Sequence, residues 1–241
     1  MRRDISEFIY QIRFPLLLLL TLWVIRVADV AFGLGLTLYG IYPRDTSSFL
    51  HIFTAPFIHA SWGHLASNSI PMLVLTTILV IFYRKVAFHA FFSVMVGSGL
   101  LVWLFARPSY HVGASGIVYG LISFIFWTGV FKKNKKSIIL SAIILILYSG
   151  SVEGIFPNVQ PNISWESHLF GALVGIVVAF VLKNVVELDE EKADPEWVTE
   201  TQDRHYFLPR DAFEKTRLQR YYEFMEQERI RQQLMNNPDN Q

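Results

Sequence analysis

The chain has 241 residues, of which 52% are hydrophobic and only 17% are charged, so most of it cannot be an ordinary water-soluble domain. It contains no cysteine, which excludes a disulfide framework, a thiolate nucleophile and a thiolate metal site. The net charge of +1 hides an asymmetry, because residues 1–186 carry +7 and residues 187–241 carry −6. We therefore predict a membrane domain over 1–186 and a soluble acidic tail over 187–241.

Six apolar runs are long enough to cross a bilayer. A membrane-spanning helix needs roughly 20 mostly apolar residues, and backbone groups in lipid must be paired internally, which favours helices over strands. The runs cover approximately residues 15–38, 65–82, 87–105, 115–131, 138–150 and 167–182. The first run resembles a signal peptide, but it is long and no small-residue cleavage site follows it cleanly. We predict an all-α, polytopic membrane protein with six transmembrane helices.

The distribution of lysine and arginine predicts the orientation, because positive residues concentrate in cytoplasmic loops. They precede the first run, follow the second and fourth runs and end the sixth, whereas the opposite loops hold only Arg44 and Arg107. Both termini are therefore expected in the cytoplasm, with spans two, four and six running inward from the outer face. The amino terminus lacks the Ser-rich, acid-poor character of a transit segment, which favours a bacterial cytoplasmic membrane.

Four polar residues open the three inward-running spans. His64 and Asn68 begin the second span, Ser115 begins the fourth and His168 begins the sixth. Polar side chains inside a membrane are costly and usually face the bundle interior or a water-filled cavity. Because the first turns of these spans share one depth, the sequence predicts a site reached from outside.

Ser115 and His168 are suited to nucleophilic catalysis. A serine hydroxyl needs an adjacent base, and the unperturbed pKa of histidine lies near neutrality. Residues 113–116 read Gly-Ala-Ser-Gly, but Ile117 stands in place of the second glycine of the Gly-x-Ser-x-Gly elbow, which disfavours a soluble hydrolase fold. No acidic third member is evident at the same level.

The neighbouring side chains fit the same chemistry. The start of a helix offers free backbone N–H groups that can stabilise an oxyanion, and His64 and Asn68, four residues apart on one face, could add donors. Tyr119 lies one turn after Ser115, where its ring could pack against an imidazole.

Glycines predict a close approach of spans four and six. Gly171 and Gly175 form a small-xxx-small pair, and span four offers Gly113, Gly116 and Gly120 in return. A dyad on two different spans requires such an approach, because a hydrogen bond reaches about 3 Å.

Three motifs, in this order, resemble the rhomboid family of intramembrane serine proteases. They are His59-xxxx-His64-xxx-Asn68, Gly113-Ala114-Ser115-Gly116 with Tyr119, and His168-xx-Gly171-xxx-Gly175. The resemblance covers about residues 45–182, and six spans match the bacterial core of the family. One departure is that residues 39–58 hold no clear Trp-Arg pair, which many members carry there.

The resemblance implies a role for each matched residue. Ser115 would be the nucleophile and His168 the general base. The oxyanion hole would consist of His64, Asn68 and the Ser115 backbone amide. The Tyr119 ring would stack on His168, and Gly113 and Gly116 would shape the active-site loop.

The implied function is an intramembrane endopeptidase that cleaves transmembrane-helix substrates near the outer membrane face, with the lipid bilayer as its surroundings. We expect no cofactor, no metal and no nucleic-acid partner. The alternative is a non-catalytic rhomboid-like protein that binds or sorts transmembrane segments. A metal site at His64, Asn68 and His168 lacks a nearby carboxylate, and a transporter would show inverted repeats and polar residues near the midplane.

Other residues are assigned supporting roles. His59 precedes span two and stays outside the catalytic set, while His111 precedes the glycine turn and is assigned to a loop. Arg26 and Asp29 in the first span can neutralise each other, which favours a structural or gating role. In the tail, Asp211 as N-cap with Glu214 three residues later predicts a surface helix that carries apolar residues at Leu218, Tyr221, Met225 and Ile230.

Overall fold

The computed structural model describes residues 2–157, 164–188, 190 and 213–235, with only the backbone given for 2–9. Two compact units cover 1–191 and 192–241. Within the described residues, the first unit contains six α-helices, and the second contains α7. The helices are α1 Arg2–Phe32, α2 Trp62–Phe82, α3 Ala87–Phe105, α4 Ser115–Lys132, α5 Lys135–Tyr148, α6 Trp165–Leu182 and α7 Arg217–Met235.

Among the described residues, six helical segments are long and apolar enough to cross a membrane, which confirms the predicted all-α polytopic fold. Extended pairing in the described residues is limited to one isolated bridge, between Ile41 and His111. The predicted end of the first span at residue 38 was wrong. The helix ends at Phe32 because Gly33 and Gly35 adopt left-handed φ angles of 60° and 64°, a conformation that stops a helix.

Arg26 and Asp29 secure the end of α1. Arg26 pairs with the Asp29 carboxylate at 2.9 Å, and its guanidinium lies 5.4 Å from the centre of the Trp62 ring. The other Asp29 oxygen accepts the backbone N–H of Leu36 at 2.9 Å. The pair is therefore a structural element that ties the glycine turn after α1 to the start of α2.

The segment between α1 and α2 is anchored to the end of α3. It contains the 3₁₀ turns Leu36–Tyr39, Thr46–Ile52 and Ala55–Phe57. Arg44 donates to the carbonyls of Leu104 and Ala106, and Trp103 donates its indole N–H to the Asp45 carbonyl at 2.9 Å. These contacts hold the segment against the end of α3.

Helix α4 lies at the centre of the bundle. Its buried residues occur on all sides of the helix, and the apolar residues Ile117, Leu121, Phe124 and Ile125 belong to a core that also draws on α2 and α3. By contrast, α5 leaves Ile138, Ile139 and residues 145–147 exposed. Exposed aliphatic side chains of this kind suit contact with lipid, whose chains are as apolar as leucine.

At the end of the bundle where α2, α4 and α6 finish, two glutamates bind the helix connections; we call this the lysine-rich end. Glu187 is fully buried and accepts the backbone N–H of Lys85 at 2.9 Å. Glu190 pairs with Lys132 at 2.8 Å and with Lys136 at 3.3 Å. Burial opposes ionisation of Glu190, but the hydrogen bonds from Lys132 and the Glu187 amide lower its pKa to about 2.

Helix α7 is an exposed surface helix. It begins at Arg217, where Thr216 and Gln219 cap each other's backbone N–H groups in a reciprocal capping box. The predicted cap Asp211 lies outside the described residues, and Glu214 precedes the helix. The apolar residues predicted on it, Leu218, Tyr221, Met225 and Ile230, are all exposed.

Candidate functional site

The turn before α4 presents Ser115 to the site. Gly113 has φ 111°, a conformation that L side chains rarely adopt, and His64 fills the space beside it. A Cβ at position 113 would lie 2.7 Å from His64 Nε2. Ser115 itself is buried, with 6% of its surface exposed, and is the first residue of α4. Both the backbone conformation and the His64 ring therefore require glycine at position 113.

His168 stacks flat on Tyr119. The two ring centres are 4.0 Å apart with an angle of 8° between the planes. His168 Nδ1 lies 2.9 Å from the carbonyl oxygen of Gly154, and its buried Nε2 has no hydrogen-bond partner among the described residues. Tyr119 lies one turn after Ser115, so both residues are on the same face of α4. The stack on Tyr119 therefore places the His168 imidazole beside that face.

His59 connects the second span to the turn before Ser115. Its Nε2 accepts hydrogen bonds from the Asn68 side-chain amide at 3.3 Å and from the Ala114 backbone N–H at 3.4 Å. Burial, with a smaller contribution from the neighbouring His64, lowers the pKa of His59 to about 4. His59 is therefore neutral near pH 7 and keeps the lone pair that both donors need.

Glycines on α4 and α6 let the two backbones touch. A Cβ at Gly171 would collide with the Gly116 carbonyl, and one at Gly175 would collide with the Gly120 carbonyl. A Cβ at Gly120 would in turn lie 3.1 Å from the Gly171 oxygen. The predicted close approach of spans four and six is thus seen in the structure.

The start of α6 is fixed by polar contacts from the preceding loops. Ser164 caps the helix, and its hydroxyl lies 2.6 Å from His111 Nδ1. His111 also contacts the Arg107 carbonyl at 3.0 Å, and Arg107 pairs with the buried Glu166 at 3.2 Å. His111 therefore has the loop role that its position before the glycine turn predicts, and it helps hold the helix that carries His168.

The structure brings the predicted residues Ser115, His168, His64 and Asn68 to one end of the bundle. In the part of the chain that is described, no hydrogen bond joins Ser115 to His168, whose Nε2 is free. Such bonds are often long without substrate and tighten when it binds. Within the same described residues, no group of three or more His, Cys, Asp or Glu side chains could hold a metal ion.

Two features of this site, with three hydrogen bonds between them, could not be predicted from the sequence. The bridge that His59 makes to Asn68 and Ala114 depends on folding of the loop before α2. The contact of the Gly154 carbonyl with His168 involves no side chain of residue 154, so no residue type in the sequence points to it.

Comparison with known proteins agrees with this geometry. The Rhomboid domain model matches residues 46–185, a range that contains every residue of the site. An uncharacterized protein of Mycobacterium tuberculosis is 31% identical over 169 residues, covering 67% of this chain and 70% of the relative. The chloroplastic Rhomboid-like protein 11 of Arabidopsis thaliana is 28% identical over 165 residues, covering 61% of this chain and 56% of the relative.

A Bacillus subtilis protein that is provisionally named a rhomboid protease is 28% identical over 135 residues, covering 54% of this chain and 65% of the relative. The family match, the six apolar helices and the three motifs agree with one another. This chain is a polytopic integral membrane protein that belongs to the rhomboid family.

Proposed function

We propose that this protein is an intramembrane serine endopeptidase in which Ser115 is the nucleophile and His168 the general base. The observation that carries the proposal is the flat stack of Tyr119 on His168, beside the helix that Ser115 begins, with a buried Nε2 that has no partner among the residues the structure describes. Burying a nitrogen lone pair without a hydrogen-bond partner costs free energy that a purely structural histidine would not need to spend. A general base, by contrast, needs a lone pair that is available to accept a proton.

The reaction is acyl transfer to water. Ser115 Oγ attacks the scissile carbonyl carbon as its proton passes to His168 Nε2, and the carbonyl oxygen becomes an oxyanion. His64, the Asn68 amide and the Ser115 backbone N–H supply donors to that oxygen. The amine leaves with the proton from His168, and water then hydrolyses the acyl-enzyme with His168 again taking and returning a proton.

The substrates we propose are transmembrane helices that enter from the bilayer, since the family acts on such segments and the site lies among spanning helices. A helical peptide bond is already hydrogen-bonded and shielded, so local unwinding must precede attack. Slow turnover and weak sequence selectivity follow from that requirement. The lysine-rich end is proposed to face the cytoplasm of a bacterial cell, with both termini on that side and the site opening on the other.

The test uses purified protein in detergent, a fluorophosphonate probe and a model transmembrane substrate. The wild type should label and cleave, whereas Ser115→Ala and His168→Ala should do neither. Ser93→Ala and His89→Ala, two exposed positions on α3, serve as matched controls and should behave as wild type. A folded wild-type protein that neither labels nor cleaves would favour the non-catalytic alternative that binds or sorts transmembrane segments.

A further inference from the structure

The 3₁₀ segment Ser149–Ile155 holds both rings of the stack by its backbone. The Ser151 carbonyl accepts the Tyr119 hydroxyl at 2.8 Å, and the Gly154 carbonyl lies 2.9 Å from His168 Nδ1. Two carbonyls three residues apart in one short segment thus fix the tyrosine and the histidine together. Neither contact involves a side chain of the segment.

The contact with Gly154 determines which nitrogen of His168 carries the hydrogen. A carbonyl oxygen can only accept, so Nδ1 must be the protonated nitrogen of the neutral ring. Nε2 is then the nitrogen with the lone pair, and it is the one that lacks a partner in the described residues. In serine proteases with a triad, a carboxylate at Nδ1 holds the imidazole in this same tautomer.

Position 154 also requires the absence of a side chain. A Cβ there would collide with the Tyr119 hydroxyl and lie 3.0 Å from His168 Nδ1 and 3.1 Å from Tyr119 Cζ. The backbone of Gly154 is not in the left-handed region, so alanine is excluded by these neighbours and not by φ. Gly150, in the same segment, has nothing within 4 Å of its Cβ position.

We propose that Gly154 is the positioning residue of His168: its carbonyl fixes the tautomer that leaves Nε2 unprotonated, and its missing side chain admits the Tyr119 hydroxyl. A backbone carbonyl thereby stands where a triad has its carboxylate. This inference rests on the proposed protease function for its catalytic meaning, but the contact itself can be measured separately.

The first measurement is ¹⁵N NMR of the histidine-labelled wild-type protein in detergent or bicelles near pH 8. The His168 signals are assigned by their loss in His168→Gln. Nδ1 should give the signal of a protonated nitrogen and Nε2 that of an unprotonated one. The opposite assignment, or rapid averaging of both tautomers, overturns the proposal without any activity measurement.

The second measurement compares Gly154→Ala with Gly150→Ala, which add the same methyl group to the same segment. Gly154→Ala should mix the tautomers and slow fluorophosphonate labelling by roughly 100-fold, the loss that misplacement of a reacting group by about 1 Å can cause. Gly150→Ala should match the wild type in both measurements. A Gly154→Ala protein with the wild-type tautomer and rate overturns the proposal.

The two hypotheses fail in different ways. If the wild type does not label or cleave, the protease function is wrong, whereas the tautomer signal still decides whether Gly154 holds Nδ1. If Gly154→Ala does not fold, the wild-type spectrum decides alone.

Discussion

Replacing Gly171 by alanine should separate the two helices that carry Ser115 and His168. The new Cβ would collide with the Gly116 carbonyl oxygen and lie 3.0 Å from the carbonyl carbon of Gly116. These are backbone atoms of α4, so no side-chain rotation can relieve the contact. To restore ordinary van der Waals separation, α6 must move away from α4 by about 1 Å.

The displacement should reduce both stability and activity. Forcing an extra methyl group into a packed interface costs typically 1–3 kcal/mol. His168 is on α6 one turn before Gly171, so it moves with the helix, and misplacement by about 1 Å can reduce the rate by roughly 100-fold. We therefore expect a slower labelling rate at Ser115 together with a lower apparent unfolding temperature.

Fluorophosphonate labelling and thermal unfolding in detergent measure the two effects on one preparation. The matched control is Gly63→Ala, which adds a methyl group in α2 where the nearest atom is 4.0 Å away. Wild-type labelling and stability in Gly171→Ala would refute the argument, because they would mean that α4 and α6 are not in backbone contact. Equal losses in Gly63→Ala would show that any alanine near the site has the same effect.

Three further predictions concern pH and the loops. The pKa of His59 is about 4 in the folded protein against 6.5 in the unfolded chain, so below pH 6.5 the unfolded chain binds a proton that the folded protein does not. The free energy of unfolding should therefore have its full value above pH 6.5 and fall by about 3 kcal/mol as the pH falls towards 4. The His59→Phe variant should lack this fall in thermal unfolding measured over the same pH range. The pKa of Glu190 is lowered from 4.5 to about 2, so its carboxylate should stabilise the folded protein above pH 4.5 and lose this effect as the pH falls towards 2. Glu190→Gln should lower the free energy of unfolding by only about 1 kcal/mol, because solvent screens the pair with Lys132. A wild-type thermal unfolding profile in this variant would contradict the contact. His111→Phe removes the hydrogen bond to Ser164 and should lower the free energy of unfolding by about 1–3 kcal/mol in thermal unfolding. An unchanged unfolding temperature would show that other contacts hold the start of α6.

The sequence predicted the helices well because their apolar runs match the thickness of a bilayer, which leaves little freedom. The third run, 87–105, coincides with the helix, and the fourth begins at Ser115 as expected. The end of α1 was predicted too late because its hydrophobicity continues through two glycines whose left-handed backbone ends the helix. A hydropathy profile contains no information on backbone conformation.

In the candidate site, too, the placement of side chains could be predicted from the sequence, whereas the backbone contacts could not. Side chains such as His64, Asn68 and His168 could be placed at one level from span boundaries alone, since alternate spans run in the same direction. The contacts of Gly154 and Ser151 could not, because any residue supplies a carbonyl and only the path of the 3₁₀ segment aims it at a ring. The distance between Ser115 and His168 likewise depends on helix packing, for which the glycine pattern gives a direction but no length.

The glutamates at the lysine-rich end have a practical consequence for work with shortened proteins. A version that stops at residue 186, where the charge pattern changes sign, would leave the Lys85 amide and the Lys132 ammonium without their carboxylate partners. The loops that follow α2, α4 and α6 would then be held less firmly, and these helices carry the site at their opposite ends. Truncations intended to remove the acidic tail should therefore retain the chain through Glu191, the last residue of the first compact unit.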